Sequence, residues 1–259
     1  MSTAYNEDQA VGMTGERLGF LWELLPKIPM MTKVALSHLL SMSEQSKYMD
    51  LKTELIVNTL RAFLAPSNPK SVTSTQKLVN RDPGVKGRIW VSAYATPLPP
   101  ETSTRDALLD AIEALRNDGL PSLEFQLPDV IGVEAEWTGY RAAATSESTP
   151  PAISEKEKYE EMMKEVHNPT TILYFHGGAY WLMDPFTHRS TTKKLAKLTG
   201  GRCYSVRYRL APQHPFPAAL LDAFVSYLTL LYPPPGAFHA PVKPEHILFS
   251  GDRWVWTKH

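Results

Sequence analysis

Apolar positions recur at helical spacing through Leu18, Leu21, Trp22 and Leu25 until Pro26 interrupts them. Val34 to Leu40 reads as a further short helix. Leu51, Leu55, the Ile56–Asn58 region, Leu60, Phe63 and Leu64 build one apolar face of a helix over 50–64 that Asp50 can cap. Residues 65–84 are rich in Pro, Ser, Asn and Thr and predict a loop. The period then changes. Gly87 to Tyr94 has a strand pattern, and Asp106 to Leu115 predicts a helix ended by Asn117-Asp118-Gly119. Val133 to Tyr140 alternates apolar and polar, as a half-buried antiparallel strand does. Residues 144–152 form a Ser/Thr/Pro linker. Ser154 and Glu157 then match a capping box, opening a charged helix through Val166 whose Glu/Lys face suits solvent.

From residue 171 strands and helices alternate at short intervals. Strands are expected at 171–175, 202–208 and 246–250, and helices at 187–198 and 217–231. Gly200-Gly201 closes the first of these helices, and Pro233-Pro234-Pro235-Gly236 makes a turn after the second. Two antiparallel-type strands followed by strand–helix–strand–helix–strand predict an α/β fold with a mostly parallel sheet.

Composition removes some function classes. Lys plus Arg and Asp plus Glu are 27 each, so nothing in the balance calls for nucleic acid or an anionic membrane. Membrane-surface contact through the N-terminal helices is the least supported partner, because no basic face accompanies the apolar stripe. The single cysteine, Cys203, lies in an apolar run and reads as core packing, which leaves no disulfide framework. Residues 1–15 are polar, are expected to be disordered, and lack a signal-peptide pattern, so the expected location is cytoplasmic. Oligomeric state is left open, and no cofactor is implied.

The chemistry-bearing stretch is His176-Gly177-Gly178-Ala179-Tyr180, immediately after a buried-type strand. Glycines there let the backbone turn sharply and bring N–H groups beside a ligand. Two such groups on one oxygen can stabilise a tetrahedral intermediate, an effect worth about 3–4 kcal/mol per donor. Taken alone, the same residues also suit a plain strand-to-loop turn. No second ligand at zinc-site spacing accompanies His176, so no metal site is expected.

One strand–helix unit later come Tyr208-Arg209-Leu210-Ala211-Pro212, then Pro215-Phe216-Pro217-Ala218 and Asp222. Together with Ile247 to Asp252, these residues resemble the hormone-sensitive-lipase-like branch of the α/β hydrolases. The resemblance is specific over 171–252, follows only the pattern over 87–143, and makes 1–86 an N-terminal helical cap and 87–259 a partial hydrolase domain. It implies an incomplete α/β-hydrolase fold and hydrolysis of small-molecule carboxylic esters. Gly178 and Ala179 would supply most of the oxyanion hole, with Gly177 allowing the turn. His176 would hold the loop, while Tyr208, Arg209, Asp222 and Asp252 would support the site.

The pattern breaks where the family places its serine. Arg253 stands at the nucleophile position, and Trp254, Val255 and Trp256 follow where small residues are needed. A guanidinium stays protonated and cannot attack a carbonyl. His188 and His214 precede the break and are poorly placed as alternative bases. The expectation is therefore a truncated, catalytically inactive chain. Alternatives are a non-catalytic ligand-binding or regulatory fragment, or a product of a retained intron, since Arg-Trp-Val codons can spell a splice donor.

Overall fold

A computed structural model of the chain describes residues 24–64, 71–97, 103–115 and 127–252. The chain divides into two compact units, residues 1–78 and 79–259. Leu18, Leu21, Trp22, the turn at 117–119, Arg253 and Trp254–Trp256 lie outside the described residues.

In the first unit, helix α1 runs Ile28–Leu39 and helix α2 Leu51–Leu64. Pro26 sits in a 3-10 turn, Leu25–Lys27, and Pro29 takes the first turn of α1, where a missing N–H costs nothing. Asp50 caps α2, accepting a hydrogen bond from the Thr53 N–H at 2.7 Å. Glu54 of α2 is buried and accepts from the Ser43 hydroxyl at 2.6 Å. It also bonds His38 Nδ1 at 2.5 Å, which ties α2 to α1. The expected loop over 65–84 contains a helix, α3, Val72–Val79. Ser71 starts it by accepting from the Ser74 N–H, a local cap that outweighs the β-branched and polar residues around it.

The second unit is built on a five-stranded mixed sheet. Its strands are β1 Ile89–Ala95, β2 Glu134–Tyr140, β3 Thr171–Phe175, β4 Arg202–Arg207 and β5 Ile247–Gly251, ordered β1-β2-β4-β3-β5. β1–β2 and β2–β4 pair antiparallel, while β3 pairs parallel with β4 and with β5. Helix α4 is Ser103–Ala114, α5 Glu155–Lys164, α6 Arg189–Thr199 and α7 Ala218–Leu231. The capping box forms as the sequence requires, with Ser154 and Glu157 each bonding the other's backbone N–H.

β2 is not half-buried. It is covered on both faces because it is an interior strand, and its polar Glu136 and Thr138 are buried. Glu136 survives there because Arg189 donates to both its oxygens, at 2.9 and 2.6 Å. On the opposite face Trp137, Tyr204 and Leu173 align across β2, β4 and β3 with no exposure, and Leu221, Val225 and Leu230 of α7 join the same core. Cys203 is buried in the smaller core beneath α6, and burial pushes its thiol up to about 12. Among the described residues no helix is long and apolar enough to cross a membrane.

Candidate functional site

Because β3, β4 and β5 are parallel, their carboxyl ends emerge on one side, where open α/β sheets place their ligands. His176 to Tyr180 leave β3 there, Tyr208 and Arg209 leave β4, and Asp252 leaves β5. The chain thus brings residues far apart in sequence to one edge by strand order alone.

The loop after β3 is tightly wound. Gly178 has φ +116°, and a Cβ there would lie 2.1 Å from the Leu182 carbonyl oxygen. Ala179 and Tyr180 also have positive φ, 53° and 64°. Each non-glycine residue in that region costs on the order of 1–2 kcal/mol. The Gly178 carbonyl closes the turn by accepting from the N–H groups of Trp181 and Leu182, at 3.1 and 3.0 Å. Among the described residues, the N–H groups of Gly178 and Ala179 donate to nothing.

His176 is buried beneath this turn. Its Nδ1 lies 2.8 Å from the Gly177 carbonyl oxygen, and its ring stacks on Tyr208 with centroids 4.3 Å apart. The Tyr208 hydroxyl donates to the His176 carbonyl at 2.5 Å. Burial outweighs the Gly177 hydrogen bond and lowers the imidazole to about 4, so His176 is neutral at neutral pH.

Arg209 and Asp222 form a buried pair behind the loop. Asp222, one turn into α7, accepts from the Arg209 backbone N–H at 2.7 Å and from its Nη2 at 2.8 Å. This fixes the start of α7 to the end of β4. His214 is exposed.

Asp252, expected to support the site, joins two residues that sequence reading did not link to it. The Tyr174 hydroxyl donates to one of its oxygens at 2.8 Å, and His188 Nε2 lies 2.6 Å from the other. Burial raises this carboxyl, but the hydrogen bond from Tyr174, His188 and the Gly177 N–H outweigh that and hold it below its ordinary value. His188 ends a 3-10 turn, Pro185–His188, that Asp184 caps. Arg207 in turn holds the Asp184 carboxylate at 2.6 and 3.0 Å. No local motif marks Tyr174, Thr187 or Asp184 as members of the site, because only the strand order brings them together.

Two cavities adjoin the loop. One, of about 190 Å³, is lined by aromatic and aliphatic groups including Phe175, Tyr180, Tyr227 and Phe249. The other, of about 280 Å³, lies beside Arg209, His214 and Phe216. Tyr180, Ala219 and Leu220 line both.

Residues 172–253 match the model of a family described as having the alpha/beta hydrolase fold. Over this segment the chain is similar to that family. An acetyl-hydrolase of Streptomyces hygroscopicus is 43% identical over 68 residues, 26% of this chain and 23% of that protein. An esterase of Acinetobacter venetianus is 36% identical over 93 residues, 36% of this chain and 28% of that protein. Lipase 2 of a Moraxella species is 29% identical over 177 residues, 57% of this chain and 40% of that protein. The chain therefore spans less than half the length of each of these relatives. A crystal structure of an esterase from the bacterial hormone-sensitive lipase family superposes with a TM-score of 0.45 at 19% identity. That superposition covers 78% of this chain and 48% of the other.

Proposed function

We propose that residues 176–252 form the oxygen-holding half of a hormone-sensitive-lipase-like carboxylester site, and that the chain with Arg253 holds small esters without cleaving them. The observation that carries this reading is the pair of undonated N–H groups, Gly178 and Ala179, on a strained turn at the carboxyl end of β3. Gly178 is half-buried and Ala179 exposed, so these backbone donors are open to water or to a ligand's oxygen. In an acyl-transfer site the ligand is the carbonyl oxygen that gains charge as its carbon becomes tetrahedral. Gly177 lets the turn begin, and His176, Tyr208, Arg209, Asp222 and Asp252 hold its surroundings. The cavity beside Phe175 and Phe249 is apolar enough for an acyl chain.

The nucleophile is the weak link. Removing the serine of a serine hydrolase costs about six orders of magnitude in rate. Arginine at 253 is no substitute, since it keeps its proton.

Incubating the purified 259-residue protein with p-nitrophenyl acetate and with a fluorophosphonate probe tests the proposal. No p-nitrophenol above background and no covalent adduct are expected, while p-nitrophenyl butyrate shifts the amide resonances of Gly178 and Ala179. A fluorophosphonate adduct on any residue would overturn the absence of chemistry. Unchanged Gly178 and Ala179 resonances with saturating ester would overturn the oxygen-holding role.

A further inference from the structure

The donor loop is tied to the segment that follows β4. The Ala211 N–H donates to the Tyr180 carbonyl at 2.8 Å, which fixes Tyr180, next after Ala179, against the chain that carries Arg209. Tyr180 lines both cavities beside the loop. An ester whose carbonyl oxygen sits on the Gly178 and Ala179 N–H groups sends its acyl part and its alcohol part in two directions from the carbonyl carbon. The two cavities that share Tyr180 can take one part each.

The cavities differ in chemistry. The first, of about 190 Å³, has no charged group in its walls and suits the apolar acyl part. The second, of about 280 Å³, is walled by Phe216, Pro217, Ala219 and Leu220 and also by the cationic Arg209. Both volumes lie below the roughly 300–1,000 Å³ of sites for drug-sized ligands, which suits short groups on both sides of the ester.

Arg209 has one nitrogen to spare. Its Nε lies 3.0 and 3.1 Å from the two Asp222 oxygens, and its Nη2 lies 2.8 Å from one of them. Nη1, with two hydrogens, has no partner among the described residues, and it is not one of the atoms sealed from the surface without one. The buried Asp222 carboxylate already balances the charge. A second carboxylate on Nη1 would face Asp222 across the same cation, and like charges repel. A neutral oxygen meets no such repulsion and still gains a charge-assisted hydrogen bond. We propose that Arg209 is a specificity-determining residue whose Nη1 donates to a neutral oxygen in the alcohol part of the ester. The chain then selects esters of short alcohols that carry an ether or carbonyl oxygen. One edge of the guanidinium fixes the start of α7, and the remaining corner reads the ligand.

This inference rests on the ester reading of the donor loop, and its test separates the two. The full 259-residue protein is titrated with 2-methoxyethyl butyrate and with n-butyl butyrate. These have the same length and differ by an ether oxygen in place of one methylene. Amide resonances of Gly178 and Ala179 report whether the ester is held, and the Arg209 side-chain resonances report the second cavity. The methoxyethyl ester is expected to bind about tenfold tighter, in line with a hydrogen bond to a charged group. It is expected to shift the Arg209 side-chain resonances, which n-butyl butyrate leaves in place. Butyryloxyacetate, with a carboxylate in the same region, is expected to bind no tighter than the methoxyethyl ester. In Arg209→Lys, whose single ammonium can pair with Asp222 but has no second corner, the preference is expected to vanish. Equal affinities for the two neutral esters in the unmodified chain, with Gly178 and Ala179 still shifting, would sink the role of Arg209 and leave the ester reading standing. Tighter binding of butyryloxyacetate would show that the cavity takes an anion and would overturn the neutral class. Gly178 and Ala179 resonances that ignore every ester would remove the ester reading and this inference with it. If Arg209→Lys does not fold, the ratio of the two neutral esters in the unmodified chain decides alone.

Discussion

The Asp252 side chain rests on the Cα of Gly177, with no room between them for a methyl group. A Cβ on Gly177 would lie 2.7 Å from Asp252 Cβ and 2.9 Å from Oδ2, closer than real carbon contacts allow. Gly177→Ala must therefore push Asp252 away from Tyr174 and His188. The expected cost is about 1–3 kcal/mol, the usual range for overpacking. Gly178→Ala is worse placed, because its neighbour is the Leu182 carbonyl at 2.1 Å and its φ is +116°. Backbone cannot step aside as a side chain can. Urea unfolding should give a lower midpoint for Gly178→Ala than for Gly177→Ala, with both below the unmodified chain. The reverse order would mean that the loop is more pliant than its geometry implies.

The Arg209–Asp222 pair allows a test of buried against exposed charge. Asp222 is 1% exposed and Arg209 11%, counted on side chains. Asp222→Ala leaves a buried guanidinium uncompensated, and a loss of about 3–5 kcal/mol is expected. The Lys86–Glu147 pair has side chains 61% and 76% exposed. Lys86→Ala is expected to cost about 0–1 kcal/mol, since water and salt screen such pairs. Equal losses at the two sites, measured by chemical denaturation, would contradict this.

Elements whose stability is local were legible in the sequence, and those set by tertiary position were not. Ser154 and Glu157 announce the start of α5 by themselves, and the apolar β-branched run at 171–175 is β3 to the residue. The alternation at 133–140 predicts a strand correctly but the wrong burial, because Glu136 is paid for by Arg189, 53 positions away. α3 was hidden because Ser and Thr are poor helix interiors but good caps, and Ser71 acts as the cap. At the site, the glycine loop is readable from its composition. The Asp252 junction is not, since Tyr174 and His188 reach it from 78 and 64 positions away.

Two buried histidines set an acid limit on the fold. His176 and His239 are both lowered from 6.5 to about 4, in each case chiefly by burial. The fold prefers them neutral, so between those values the unfolded chain binds protons that the folded chain refuses. Stability is therefore full above about pH 6.5, falls as pH drops toward about 4, and levels below it. A shift of this size corresponds to at most about 3 kcal/mol per histidine, as an order of magnitude. Guanidinium unfolding at pH 7.5 and pH 4.5 should show a clear loss at the lower value. His239→Gln, which can still donate to the Thr229 carbonyl where His239 Nε2 lies at 3.1 Å, should remove part of that loss. An identical pH slope in His239→Gln would show that His239 does not contribute to it.

The outer strand carries the last expectation. Among the described residues β5 pairs only with β3, and no strand takes its other edge. Leu248 and Phe249, which point to opposite faces, are each 50% exposed. A parallel strand is ordinarily covered on both faces, and an open edge with apolar faces is a template for pairing between chains. Concentration-dependent self-association is expected in sedimentation velocity at neutral pH. Leu248→Lys places a charge on the exposed face of β5 without touching the Phe175 and Phe249 cavity, because Leu248 does not line it. It should reduce association while leaving the fold and the Gly178 and Ala179 resonances unchanged. A monomer at all concentrations in the unmodified chain would show that this edge is already protected.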